Sequence, residues 1–309
     1  MSDQDLQFGV MSGFPDPESA RVTVEEAERL GFDSLWVGDH VAFPVPILDS
    51  LAQLALAAAF ARRLTLGTCV YLLPLRHPTL VAKQTATLDR MLSGRFALGV
   101  GVGGEFPNEY AACGVPLHQR GARLTEGIDV LKALWSAEPV TRSGRFYPLD
   151  DVRMLPPPTS SGGPPVWCGG RAPAALERAG RLGDGYVSYA VDPQRFSASL
   201  TTIRRAAAAA GRSLDAFTPA HMLFLRLDER FEDSHRTATE HLSRRYAMDF
   251  SKAARRYGAL GPAADVAETI HRYREAGVRH LILDLVGPAA DRHEQLHRFS
   301  HEVMPLLKT

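Results

Sequence analysis

The 309-residue sequence has no long apolar run and no excess of either charge. Its 35 Lys and Arg are matched by 35 Asp and Glu, a formal net charge of zero. A balanced surface exerts no general pull on nucleic acid or an anionic membrane, so neither is expected as a partner. The longest apolar stretch, around 54–61, is alanine-rich and far short of the roughly 20 residues a membrane-spanning helix needs. The opening MSDQDLQFGV has two acids and no apolar segment, which argues against a secretory signal. Cysteine is scarce. Cys69, Cys113 and Cys168 are spaced for neither a disulfide framework nor a metal site, and suggest reduced thiols in a cytoplasmic protein. HExxH and CxxC are absent and the eleven histidines are dispersed, so no metal is expected.

What the chain does contain is a recurring unit. RLGFDSLWV (29–37), RLGDGYVSY (181–189) and EAGVRHLIL (275–283) each read as a helix end, a glycine in the left-handed cap and a short strand. Further strands are expected at 7–11, 64–70, 96–102, 166–168 and 220–226. Helical spacing lies between them: Leu124, Ile128, Leu131 and Trp135; Val266, Ile270 and Tyr273; Leu296, Phe299, Val303 and Leu306. The alanine-rich IRRAAAAAGRSLD is a helix and its cap. The units approach eight, with buried, non-alternating strands. This predicts an α/β fold, most simply a (β/α)8 barrel in one domain over 1–309, with an open doubly wound sheet as the alternative. The stretch 137–165, ending MLPPPTSSGGPP, reads as an insertion loop after the fourth helix. It either covers the mouth of an active site or is a surface excursion.

Four unusual segments fall at the carboxyl ends of the expected strands, where barrels build active sites. They are Asp39–His40, GTCVYLLPLRHP (67–78), GVGVGGEFPNEY (99–110) and VWCGGR (166–171). Taken singly, each has a plainer reading. An Asp-His pair can be a helix cap beside a surface imidazole. Glycines at 99–104 can be close packing, and they lack the spacing of a dinucleotide fingerprint. Gly169, Gly170 and Arg171 can be a simple turn, or can offer backbone N–H groups and a guanidinium to a phosphate. Cys69 and Cys168 read as small buried strand residues. Their convergence on one end of the sheet favours a site.

The stretches LGFDSLWVGDH, LGTCVYLLPLRHPTLVAKQTATLDRMLSGRFALGVGVGGE, HQRGARLTEGIDVLKALW and PVWCGGRAPAALERAGRLGDGY occur in an order and spacing that covers nearly the whole chain. The sequence thereby resembles the bacterial luciferase-like flavin and deazaflavin oxidoreductases. The resemblance implies a (β/α)8 barrel with an insertion, commonly a homodimer, and a tricyclic redox cofactor across the strand ends. An Asp-His pair after the second strand resembles the branch that uses coenzyme F420. On that likeness Asp39 and His40 fall at the cofactor's reactive region, and Cys69–Val70 at a bulge with a non-proline cis peptide. Val102, Gly103, Gly104 and Glu105 match the glycine-rich exit of strand 4, and Gly169, Gly170 and Arg171 the phosphate turn. Many relatives carry Ser or Thr just after that turn, where Ala172 and Pro173 stand here. Phe43 and Pro44 replace a tryptophan found in relatives that act on sugar phosphates.

The implied activity is hydride transfer between F420 and a small organic substrate. His40 is the candidate proton handler, because imidazole changes charge near working pH. Asp39 would orient it or contact the ring, and Glu105 is a second candidate acid. Arg76 and His77 either contact the cofactor tail or the substrate, or lie in a solvated loop. Two other readings keep the barrel: an FMN-dependent monooxygenase, which needs a dry pocket, and a non-catalytic flavin-binding protein.

Overall fold

Eight parallel strands close on themselves in the computed structural model, which describes residues 6–307. They are β1 (Gln7–Ser12), β2 (Ser34–Val37), β3 (Thr65–Tyr71), β4 (Phe96–Val100), β5 (Val166–Gly169), β6 (Gly185–Tyr189), β7 (Thr218–Leu227) and β8 (His280–Leu285). Each pairs with the next, and β8 returns to β1 through Gln7 opposite His280 and Val10 opposite Leu283. The chain is therefore a (β/α)8 barrel and not an open sheet. A short outer strand, Gly258–Gly261, adds to β7. Among the described residues no helix is long and apolar enough to cross a membrane.

The barrel interior is filled by large side chains that small neighbours admit. Trp36 from β2 and Trp167 from β5 lie with ring centroids 4.6 Å apart, and His280 from β8 meets both edge-on. A Cβ at Gly67 would sit 2.4 Å from the Trp36 ring and 2.7 Å from the Ala97 carbonyl oxygen. Gly67→Val is accordingly expected to destabilise the fold by about 1–3 kcal/mol or more, measurable as a lowered urea midpoint.

His280 sits in a directed chain of hydrogen bonds. Trp36 Nε1 donates to Ser34 Oγ at 2.7 Å, the Ser34 hydroxyl donates to His280 Nε2 at 2.7 Å, and His280 Nδ1 donates to Gln7 Oε1 at 3.1 Å. Burial pulls this imidazole down to about 3, and burial does the same to His221, also to about 3. Both fold as neutral groups, whereas in the unfolded chain they take up protons near pH 6.5. Their contribution to stability is thus complete above pH 6.5 and is lost as the pH falls toward 3. Between pH 6.5 and 5 the folding equilibrium is expected to weaken up to about tenfold per pH unit for each histidine. In His280→Gln that slope should fall by the share of one histidine, up to about tenfold per pH unit, as read from denaturant curves across this range.

The helices lie outside the barrel, with their apolar faces turned inward. Leu124, Ile128, Leu131 and Trp135 of the helix Arg120–Trp135 are all buried, as are Val266, Ile270 and Tyr273 of Ala263–Glu275. Two local expectations fail. Gly31 and Gly277 adopt the left-handed cap at φ +83 and +103, but Gly183 is extended at φ −81. Glycine is required at 183 for space, since a Cβ would stand 2.9 Å from the carbonyl oxygens of both Ala179 and Gly185. Near the C-terminus, Leu296, Phe299 and Val303 are buried but Leu306 is exposed. A π-turn at Phe299–Val303 and a 3-10 turn at Met304–Leu307 shift the register, and Leu307 takes the buried place.

The insertion at 137–165 forms an antiparallel hairpin, Val140–Arg142 with Leu149–Val152, and then runs over the outside of the barrel. Glu126 accepts from the backbone N–H groups of Phe146 and Tyr147, and Asp89 from those of Thr159 and Ser160. None of its residues lines the cavity described below, so it is a packed surface excursion. The segment between β7 and Gly258–Gly261, with helices Phe231–Tyr246 and Ser251–Tyr257, reaches over the barrel mouth instead.

Candidate active site

A cavity of about 700 Å³ opens at the carboxyl ends of the strands. Its floor is the end of β3, where the Cys69–Val70 peptide bond is cis and the pairing with β4 shifts register between Thr68 and Tyr71. Cβ atoms at Gly101 and Gly169 would stand 2.4 and 2.8 Å from the Val70 side chain. Only bare backbone on both sides leaves room for this valine at the bulge. Burial pushes the Cys69 thiol up to about 12, with Asp284 adding to the effect, so it is a protonated apolar wall and not a nucleophile.

Asp39 and His40, adjacent in sequence, serve different partners. The Asp39 carboxylate is fully buried and accepts from Arg76 Nη1 at 2.6 Å and Nη2 at 2.8 Å. It also accepts from the Leu72 backbone N–H at 2.8 Å and the Ser50 hydroxyl at 3.1 Å. Both oxygens are occupied, so Asp39 fixes the loop after β2 to the loop after β3. Arg76 completes that clasp and lies over the Tyr71 ring at 4.5 Å. His77 accepts from the Thr79 N–H as the cap of the helix Pro78–Met91 and stays outside the cavity.

His40 turns toward a carboxylate that lies 69 residues further along the chain. Its Nδ1 is 3.0 Å from Glu109 Oε2 and 3.2 Å from Oε1. Glu109 is buried, and its Oε1 accepts from the backbone N–H groups of Val41 and Ala42 at 2.6 and 3.1 Å. The imidazole stacks on Phe43 at 4.0 Å and meets Phe106 edge-on. With Nδ1 engaged by an acceptor, Nε2 carries the lone pair, has no partner among the described residues, and belongs to a ring that lines the cavity.

Glu105, four residues before Glu109, is exposed at the cavity rim and makes no hydrogen bond or ion pair with a described residue. The sequence offers two acids in one loop, and only the fold selects the one that faces His40. Pro107 starting a short helix, Pro107–Ala112, was the available signal, because it places Glu109 in a first turn that packs inward.

The opposite wall suits an anion. Gly169, Gly170, Arg171, Ala172 and Ala175 line it at the start of the helix Pro173–Leu182. Gly170 sits at φ +131, a conformation a side chain rarely adopts. The N-cap, Ala172, supplies no side-chain acceptor, Pro173 has no N–H, and the Ala175 N–H bonds to the Ala172 carbonyl oxygen at 2.9 Å, which leaves the Ala174 N–H of the first turn for a ligand. Arg171 lies over the Tyr189 ring at 5.1 Å and donates to the Ala190 carbonyl oxygen. Val102 and Gly103 are also in the cavity wall. Gly104 is not, and packs against the Arg120 guanidinium.

Sequence reasoning missed the charged wall formed from β7, β8 and the segments after them. Arg245 Nη1 pairs with Asp284 Oδ2 at 2.5 Å. Burial opposes the Arg245 charge, but Asp284 overrides it and holds the guanidinium above its ordinary pKa. Burial, with Arg245 beside it, pulls His241 below its ordinary value. Arg226 pairs with Asp228 and Asp291, whereas Arg292 donates to the Met11 carbonyl oxygen and makes no close ion pair with a carboxylate of the described residues. His241 and Arg245, one helical turn apart, look in the sequence like a solvated face.

The residues fit a flat redox cofactor with a phosphate: glycine-bared walls around the bulge, an uncapped helix start at one end, and an imidazole at the other. Comparison with known proteins agrees with this architecture. The phthiodiolone/phenolphthiodiolone dimycocerosates ketoreductase of Mycobacterium tuberculosis is 32% identical over 245 residues, 70% of this chain and 64% of that protein. An F420-dependent secondary alcohol dehydrogenase solved with an F420–acetone adduct superposes with a TM-score of 0.86 at 21% identity, covering 99% of this chain and 100% of that one. A monooxygenase from Streptomyces bottropensis superposes with a TM-score of 0.83 at 24% identity, covering 97% and 99%. These two solved structures share the barrel. A family model described as luciferase-like monooxygenase matches residues 3–303, and the chain belongs to that family of oxidoreductases.

Proposed function

We propose that the protein is an F420-dependent oxidoreductase that interconverts a small alcohol and its carbonyl compound. The observation that carries this reading is the His40–Glu109 pair at the cavity wall. A buried carboxylate on Nδ1 fixes the tautomer and supports an imidazolium, which leaves Nε2 to exchange a proton with a substrate oxygen. The bulge at Cys69–Val70, with Val102 and Gly103, would hold the ring system, and Gly169–Arg171 with the helix start would hold the phosphate. When bound, the deazaflavin supplies a ring carbon that accepts or returns hydride. In alcohol oxidation His40 takes the hydroxyl proton, and in carbonyl reduction it gives the proton back. Arg226, Arg245, Arg292 and Asp284 supply polar groups on one side of an otherwise largely apolar cavity.

The test is anaerobic turnover of oxidised F420 with a panel of secondary alcohols, and of reduced F420 with the matching ketones. Cofactor-dependent conversion in either direction is expected. Conversion that requires reduced FMN and oxygen in place of F420 would sink the proposal.

A further inference from the structure

Outside the barrel, three side chains from the first and last helices converge on one point. Glu26 lies in the last turn of the helix Pro17–Arg29, and His293 and His297 stand one turn apart on the helix Arg292–Arg298. Glu26 Oε1, His293 Nδ1 and His297 Nε2 all lie within 4.8 Å of one another. Glu26 Oε1 is in ion-pair contact with His293 Nδ1 and is 3.2 Å from His297 Nε2. None of the three residues lines the cavity.

Two features separate this cluster from an ordinary surface ion pair. Glu26 Oε1 is buried and makes no hydrogen bond of acceptable geometry, although an isolated buried carboxylate oxygen is costly. The His293 and His297 nitrogens close to it do not satisfy it as donors, and Arg29 Nη2, 3.8 Å away, is in ion-pair range but beyond hydrogen-bond reach. Arg29 Nη2 stands 2.9 Å from His297 Nε2, and a guanidinium can only donate, so that nitrogen presents a lone pair. One unsatisfied anionic oxygen beside a lone-pair nitrogen and a second imidazole is a ligand set rather than a hydrogen-bonded set. Two imidazoles and one carboxylate are the donors that zinc and similar divalent ions prefer, at about 2.0–2.2 Å each. Ligand atoms around such an ion then lie a little over 3 Å apart, close to the separation of Glu26 and His297 here.

We infer that Glu26, His293 and His297 form a binding site for a zinc-like divalent cation that joins the first helix of the barrel to the last. Arg29, 59% exposed, swings out to admit the ion and leaves a position for water. The ion would clip the seam where the barrel closes, independently of the chemistry in the cavity. The sequence carries its signal as RHEQLHRFSH, histidines at 293, 297 and 301, a four-residue repeat that puts them on one helical face.

The test is calorimetric titration of untagged full-length protein with zinc chloride, repeated on His293→Gln, His297→Gln and Glu26→Gln. One saturable site per chain is expected, weakened at least about tenfold by each substitution, with zinc raising Tm in the parent and not in His297→Gln. His293 is exposed, so its variant keeps the test available if Glu26→Gln does not fold. Absence of a saturable site, or binding that keeps its strength in both histidine variants, overturns the inference.

Discussion

His40→Ala is expected to lower kcat for F420-dependent turnover by about 10²–10⁴-fold while F420 affinity and Tm change little. The argument rests on geometry. The ring is held from behind by Glu109 and from the side by Phe43, so its free nitrogen is already placed when substrate arrives. Glu109→Gln should produce a loss of the same order for a different reason. The Gln carbonyl oxygen would keep the Val41 and Ala42 N–H groups and turn its amide donor toward His40 Nδ1. That inverts the tautomer, and Nε2 would then carry a hydrogen and no longer act as a base. A structural role alone would move Tm in both variants and leave the pH profile of kcat unchanged. Steady-state kinetics beside thermal melts separate the two.

Arg76→Ala is expected to destabilise the fold by about 3–5 kcal/mol, because it strands a carboxylate that has no access to water. Asp39 would keep the Leu72 N–H and Ser50 hydroxyl but lose both charged donors. Urea unfolding measures the loss, and Asp39→Asn with Arg76→Ala completes a double-mutant cycle. A strong positive coupling is expected, since the neutral amide removes the stranded charge. An Arg76→Ala variant as stable as the parent would show that the clasp between the two loops carries nothing.

The barrel was legible in the sequence because its strands are buried on both faces. Runs such as LWV and HLILDL sit beside glycine-ended helices, and the expected strand limits lie within two residues of those observed. The candidate site was legible by position and only partly by the contacts its side chains make. Asp39 and His40 are neighbours in the chain, which suggested a joint task, yet their side chains engage Arg76 and Glu109, 37 and 69 residues away. No local period encodes such contacts. Glu109 and Glu105 are chemically alike, and His241 and Arg245 resemble any solvated helix face, so their roles depend on how loops from different strands meet above the barrel. The proline-rich insertion stood out in composition, but its hydrogen bonds to Asp89 and Glu126 commit it to the outer surface.

The most direct measurement of the central claim is equilibrium binding of the purified protein to oxidised F420 and, separately, to FMN, followed by fluorescence quenching. The account predicts tight F420 binding, with FMN at least about tenfold weaker, a difference of about 1.4 kcal/mol. FMN binding tighter than F420 would contradict it, and His40 would then need another role.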